Sequence, residues 1–135
     1  MTVRFQLVID CADPDRLARF WAAALGYELA PAPAGFATWN DFYRELGVPE
    51  EELADGADRI SDPEGHGPAI WFHVVPDAKT VKNRLHLDLI SAQFGAESER
   101  LLVLGATRIR DVEQGSARWT TFADPEGNEF DLVAG

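Results

Sequence analysis

The tetrapeptide Asp-Pro-Glu-Gly stands twice in this chain, at Asp62–Gly65 and again at Asp124–Gly127. Each residue suits a tight turn. Pro fixes φ at the second position, Asp can accept a bond from the backbone just ahead, and Gly supplies a positive φ at the end. A turn of this kind joins antiparallel strands. Two identical turns at corresponding places predict one fold unit written twice.

The flanking residues agree with a duplication. Residues 3–10, VRFQLVID, alternate, with Val3, Phe5, Leu7 and Ile9 on one face and Arg4, Gln6, Val8 and Asp10 on the other. This predicts a strand with one packed face. The stretch ADPDRLARFWAAALGY predicts a helix: Asp13 as N-cap, Pro14 at the first helical position, Gly26 just past the end. Leu17, Phe20, Trp21, Ala24 and Leu25 mark its apolar face. Short strands are expected at Tyr27–Ala30, Arg59–Ser61 and Ala69–Val75. In the second half, RLHLDLI at 84–90 alternates like 3–10, with Leu85, Leu87 and Leu89 opposite Arg84, His86 and Asp88. A helix at Ser98–Leu104 ends at Gly105, and strands are expected at Thr107–Asp111, Arg118–Ala123 and Glu129–Val133.

Both halves thus read strand, helix, strand, strand, Asp-Pro-Glu-Gly, strand. Arg4 meets Arg84 and Gln6 meets His86 at a shift of 80 (84 − 4), and the helix-ending Gly26 and Gly105 are 79 apart (105 − 26). The turns are only 62 apart (124 − 62). The first half therefore carries an insertion, the irregular stretch 31–58, with short helical pieces at Trp39–Leu46 and Pro49–Leu53. The fold class is α+β: two tandem β-α-β-β-β modules, 1–78 and 83–135, in one domain.

Charge narrows the partners. Lys and Arg number 12 against 23 Asp and Glu, a net charge of −11. Nucleic acid and anionic membrane both call for a basic patch, so neither is expected as a partner. Cys11 is the one cysteine, which fits a reducing compartment. No leader pattern and no apolar run of membrane-spanning length stand out, so the expected location is cytoplasmic.

The doubled module, the helix DPDRLARFWAAALGY and the closing DPEGNEFDLV resemble the vicinal-oxygen-chelate superfamily of glyoxalases, bleomycin-resistance proteins and extradiol dioxygenases. KTVKNRLHLDL and the insertion resemble its glyoxalase-like domain branch. The resemblance spans essentially the whole chain. It implies curved mixed sheets that form a cup between the modules, a small-molecule ligand in that cup, a homodimer, and in many members one divalent metal ion (Zn, Ni, Fe, Co or Mn). It also implies metal ligands on the first and last strands of each module. By position these are Gln6, His86 and Asp131, with His73 as the fourth. His73 follows from setting Phe72-His73-Val74 against Phe130-Asp131-Leu132, although Gly65 to His73 is eight residues (73 − 65) and Gly127 to Asp131 is four (131 − 127). Asp131 doubles as a candidate general base. Gln6, where dioxygenases carry a His, argues against that chemistry.

Trp39, Phe42 and Tyr43 make one helical face inside the insertion. They fit packing onto the domain, a lid or wall of the ligand pocket, or part of a dimer contact. Arg84 shares a strand face with His86 and is a candidate contact for an anionic substrate group. His66 reads as a solvated loop residue. Two functions remain open: a lyase or isomerase working on a small oxygenated molecule, and a binding protein of the bleomycin-resistance kind.

Overall fold

The computed structural model describes residues 1–135 and divides into two compact units, Met1–Asp77 and Ala78–Gly135. The first unit runs β1 (Leu7–Cys11), α1 (Pro14–Leu25), β2 (Glu28–Leu29), α2 (Trp39–Glu45), a turn of 3-10 helix (Glu50–Glu52), β3 (Arg59–Ser61) and β4 (Ile70–Val74). The second runs β5 (Asp88–Ser91), α3 (Phe94–Leu104), β6 (Thr107–Gln114), β7 (Ala117–Ala123) and β8 (Glu129–Ala134).

The sheets have the same order, β1-β4-β3-β2 and β5-β8-β7-β6. In each, the module's first and last strands lie side by side in parallel, and the rest pair antiparallel. The duplication is therefore a matter of topology as well as of sequence. Both Asp-Pro-Glu-Gly segments turn as their residues predict. Asp62 Oδ1 accepts from the Glu64 N–H and Asp62 Oδ2 from the N–H groups of His66 and Gly67. Asp124 Oδ1 accepts from the N–H groups of Glu126 and Asn128. Gly65 and Gly127 have φ of 73° and 86°, the left-handed region in which an added Cβ is costly.

Each helix packs on one face of its own sheet. Asp13 caps α1 through Oδ1 to the Arg16 N–H, and Gly26 ends it in the left-handed conformation. Leu17, Phe20 and Trp21 of α1 are buried, as are Ile60, Ile70 and Phe72 of the first sheet. In the second unit Leu101 of α3, Phe122 of β7 and Phe130 and Leu132 of β8 are buried, with Phe122 and Phe130 rings stacked at 5.6 Å.

The two opening strands are shorter than their alternation suggests. β1 begins at Leu7 and β5 at Asp88. Val3, Phe5 and Leu85, expected to pack against the helices, are 90%, 72% and 87% exposed. Pairing sets the limit. Glu129, at the start of β8, is committed to the link ahead of β5: its carboxylate accepts from the Asn83 N–H at 3.0 Å and from Lys79 Nζ at 3.0 Å. Residues 84–86 lie ahead of the β5–β8 ladder, which opens with the Asp131 N–H on the Leu87 carbonyl. α3 starts at Phe94, earlier than the expected Ser98; Gln93 makes no side-chain cap and Phe94-Gly95-Ala96 carries no cap signal, so this start is unmarked in the sequence.

Candidate functional site

In the second unit, the face of the sheet turned away from the buried Leu132 gathers three metal-binding side chains. Asp88 and Asp131 are direct neighbours across the parallel β5–β8 pair. His86 stands two residues ahead of Asp88 and so reaches the same side. Its Nε2 lies 3.3 Å from Asp88 Oδ1 and 3.4 Å from Asp131 Oδ2. The three candidate ligand atoms all fall within 4.8 Å of one another. Asp131 is the most enclosed, its side chain 17% exposed, and it is held from behind: the Thr121 hydroxyl donates to Oδ1 at 2.6 Å across β7–β8. That bond leaves Oδ2 for His86 or an ion.

The donor chemistry fits a divalent ion. One imidazole and two carboxylates match Zn, Mn, Fe, Co or Ni, and two carboxylate charges balance a dication. A hydroxyl fixing one carboxylate oxygen is the kind of support that orients a metal ligand.

The corresponding positions of the first unit carry other chemistry. Val8 pairs with Trp71 in β1–β4, and Val8 is two residues past Gln6 as Asp88 is two past His86. The counterparts of Asp88 and Asp131 are therefore Val8 and Trp71. The sequence alignment that set His73 against Asp131 is displaced by two residues. The reason lies after the turn: Gly65 to Trp71 takes six residues (71 − 65), two more than Gly127 to Asp131. His73 pairs with Asp10 instead, and its Nδ1 is 3.4 Å from Asp10 Oδ1. Gln6 Oε1 accepts from Arg59 Nη1 at 3.4 Å.

The insertion covers part of this first sheet. Thr38 caps α2 through its hydroxyl to the Asp41 N–H, and Trp39 Nε1 donates to the Ala30 carbonyl at 3.0 Å. Phe42 meets Phe36 and Trp39 edge-on, at 5.3 and 5.9 Å between ring centroids. Arg59 ties insertion to sheet. Its guanidinium carbon lies 4.6 Å from the Trp39 ring centre and 5.2 Å from that of Trp71, and its Nε donates to the Tyr43 hydroxyl at 3.0 Å. Trp39 and Phe42 thus pack within the unit, and Phe42 also lines a cleft of about 340 Å³ with Tyr43, Leu53, Asp58, Arg59 and Trp71.

Asp58 is buried in the wall of this cleft. Burial pushes its carboxyl pKa up, while the Tyr43 and Trp71 side chains and the Arg59 charge pull it back down. Burial likewise raises Tyr43. Arg84 lies exposed in the link before β5, and His66 is exposed in the first turn. Sequence reasoning missed Asp88 as a ligand candidate, though its alternation with His86 marked it. It missed Asp58 and Arg59 altogether, because their surroundings come from the insertion.

The glyoxalase-like domain family model matches residues 6–133. No curated protein is similar enough in sequence to match. Among solved structures, a mutant of the fosfomycin resistance protein FosX from Listeria monocytogenes, complexed with Mn(II) and 1S,2S-dihydroxypropylphosphonic acid, is similar at a TM-score of 0.67 and 14% identity, over 100% of this chain and 91% of that one. A glyoxalase/bleomycin resistance protein/dioxygenase family enzyme from Burkholderia phytofirmans is similar at 0.62 and 14%, over 96% and 95%. The oxidase ChaP-H2 is similar at 0.62 and 18%, over 100% and 95%. At these identities the likeness to solved structures establishes the fold and no more. The family match covers nearly the whole chain, and with it the protein belongs to the glyoxalase-like domain family.

Proposed function

We propose that the protein is a metal-dependent lyase or isomerase acting on a small oxygenated molecule, with its metal held by His86, Asp88 and Asp131. The observation that carries this reading is the convergence of those three side chains, with Thr121 fixing the most enclosed of them. Gln6 and His73, the donors expected from the first module, already have partners within their own unit, Arg59 and Asp10. A bound divalent ion would supply Lewis-acid polarisation of a substrate carbonyl or of adjacent oxygens. The chain's own part is to hold and move protons. Asp131 keeps Oδ1 on the Thr121 hydroxyl, so Oδ2, the oxygen facing His86, is the one that would take a proton once it leaves the ion. Similarity to a FosX structure that contains Mn(II) and a phosphonate favours a metal and a small polar ligand. Arg84 is the cation placed nearest His86 in sequence for an anionic group on the substrate.

The second reading is a binding protein without turnover. The cleft under the insertion favours it, because that cleft is apolar and contains none of the three ligands. Metal analysis of protein purified without chelator separates the two. Roughly one divalent ion per chain supports the enzyme. Metal-free, folded protein that also takes up none of Mn, Zn, Ni, Co or Fe from solution contradicts it and leaves the binder.

The reading includes a cytoplasmic homodimer. The exposed apolar side chains Val3 and Phe5 favour a second copy as their cover. A light-scattering mass of twice the 14.9 kDa chain is expected, and a mass of one chain contradicts it.

A further inference from the structure

We infer that the cleft under the insertion is a separate binding site for a small neutral aromatic compound, which donates one N–H or O–H hydrogen bond to Asp58. This inference does not depend on the metal in the second unit.

The volume, about 340 Å³, is within the range of small-molecule pockets. Phe42, Leu46, Val48, Leu53 and Trp71 give the walls an apolar, partly aromatic character. Such walls favour a flat ring. Asp58 supplies the polar anchor. It is 9% exposed, and its Oδ1 is buried with no hydrogen-bond partner. Buried carboxylate oxygens are nearly always paired, because an unpaired one loses its hydration and gains nothing in return. What Oδ1 lacks is a donor.

Tyr43 and Trp71 lean on this carboxylate, yet neither closes a hydrogen bond onto Oδ1, and the other nearby donors are engaged elsewhere. Arg59 directs Nε to the Tyr43 hydroxyl and Nη1 to Gln6, with its guanidinium between Trp39 and Trp71. The Asn40 amide donates to the Ala54 carbonyl at 2.8 Å. The charge of Arg59 beside Asp58 also decides the type of ligand. A second cation would meet an existing positive charge, whereas a neutral N–H or O–H meets only the open oxygen. An acceptor at the same point would face the carboxylate lone pairs and be rejected.

Indole and benzofuran test this directly, since they share shape and differ in having a ring N–H or a ring oxygen. Ligand-observed NMR and the ring N–H resonance of Trp71 report binding to the whole chain. Saturable indole binding that shifts Trp71 is expected, with benzofuran at least about tenfold weaker. In Asp58→Leu that preference should fall to about one, with near-UV circular dichroism confirming the fold. Phe42→Ala should weaken both probes together. Equal binding of the two probes, a preference that survives Asp58→Leu, or saturation by neither overturns the inference.

Discussion

The two modules share one strand order and one register, yet the same three backbone positions hold opposite chemistry. In the second module the paired positions are Asp88 and Asp131, with His86 two residues upstream. In the first they are Val8 and Trp71, with Gln6 upstream. A duplicated scaffold need not duplicate its site. At these positions the first module gives up charged donors, and its insertion lays Trp39 and Tyr43 against the Arg59 guanidinium of β3 instead. The lesson is that strand register, and not the turn motif, identifies equivalent residues.

The comparison can be broken by writing one module's residue into the other. Asp88→Val carries the first module's residue into the second and should remove a metal ligand. The loss in metal affinity, measured by competition with a chromophoric chelator, should exceed the 10–100-fold that a supporting residue typically costs, by roughly another order of magnitude. Affinity equal to wild type would mean that Asp88 is a bystander. Thr121→Val comes next. It removes the hydroxyl behind Asp131 and leaves every ligand in place, so the expected weakening is about 10–100-fold.

Smaller effects follow from two acids with opposite proton linkage. Burial pushes Glu129 up, but the Asn83 N–H, its own backbone N–H and Lys79 outweigh it and hold its pKa at about 2, against an ordinary 4.5. A lowered carboxyl pKa stabilises the fold above the unfolded value, and that stability is lost as pH falls from about 4.5 toward 2. Glu129→Gln should cost on the order of 1 kcal/mol at neutral pH after allowing for solvent screening, with the difference closing near the acid end. Asp58 has the reverse sign. Its raised pKa is a penalty that is absent below the ordinary value of 3.8 and complete above its folded value. Asp58→Asn should therefore be more stable than wild type at neutral pH, by up to about 1 kcal/mol, and equal to it in acid. Urea unfolding across pH checks both. Parallel pH profiles for the two variants would erase the contrast.

Much of the fold could be read from residues alone, because local chemistry determines it. Asp13, Pro14 and Gly26 bound α1, and both Asp-Pro-Glu-Gly turns form as their side chains require. Strand alternation identified the polar face that carries His86 and Asp88. What could not be read depends on register and on long-range cover. Alternation cannot say that residues 84–86 lack a pairing partner, since that depends on where the β5–β8 ladder begins. Nor can it detect the two extra residues between Gly65 and β4 that move Trp71, not His73, into the place matching Asp131. Asp58 and Arg59 gave no signal because their surroundings are made by residues of the insertion, Tyr43 and Trp39, far from any periodic pattern.

The most direct measurement is the metal content of four proteins purified side by side without chelator: wild type, His86→Ala, Gln6→Ala and His73→Ala. A centre built by the second module predicts roughly one divalent ion per chain in wild type, in Gln6→Ala and in His73→Ala, and background levels in His86→Ala. Metal that survives His86→Ala, or that disappears with Gln6→Ala or His73→Ala, would contradict it.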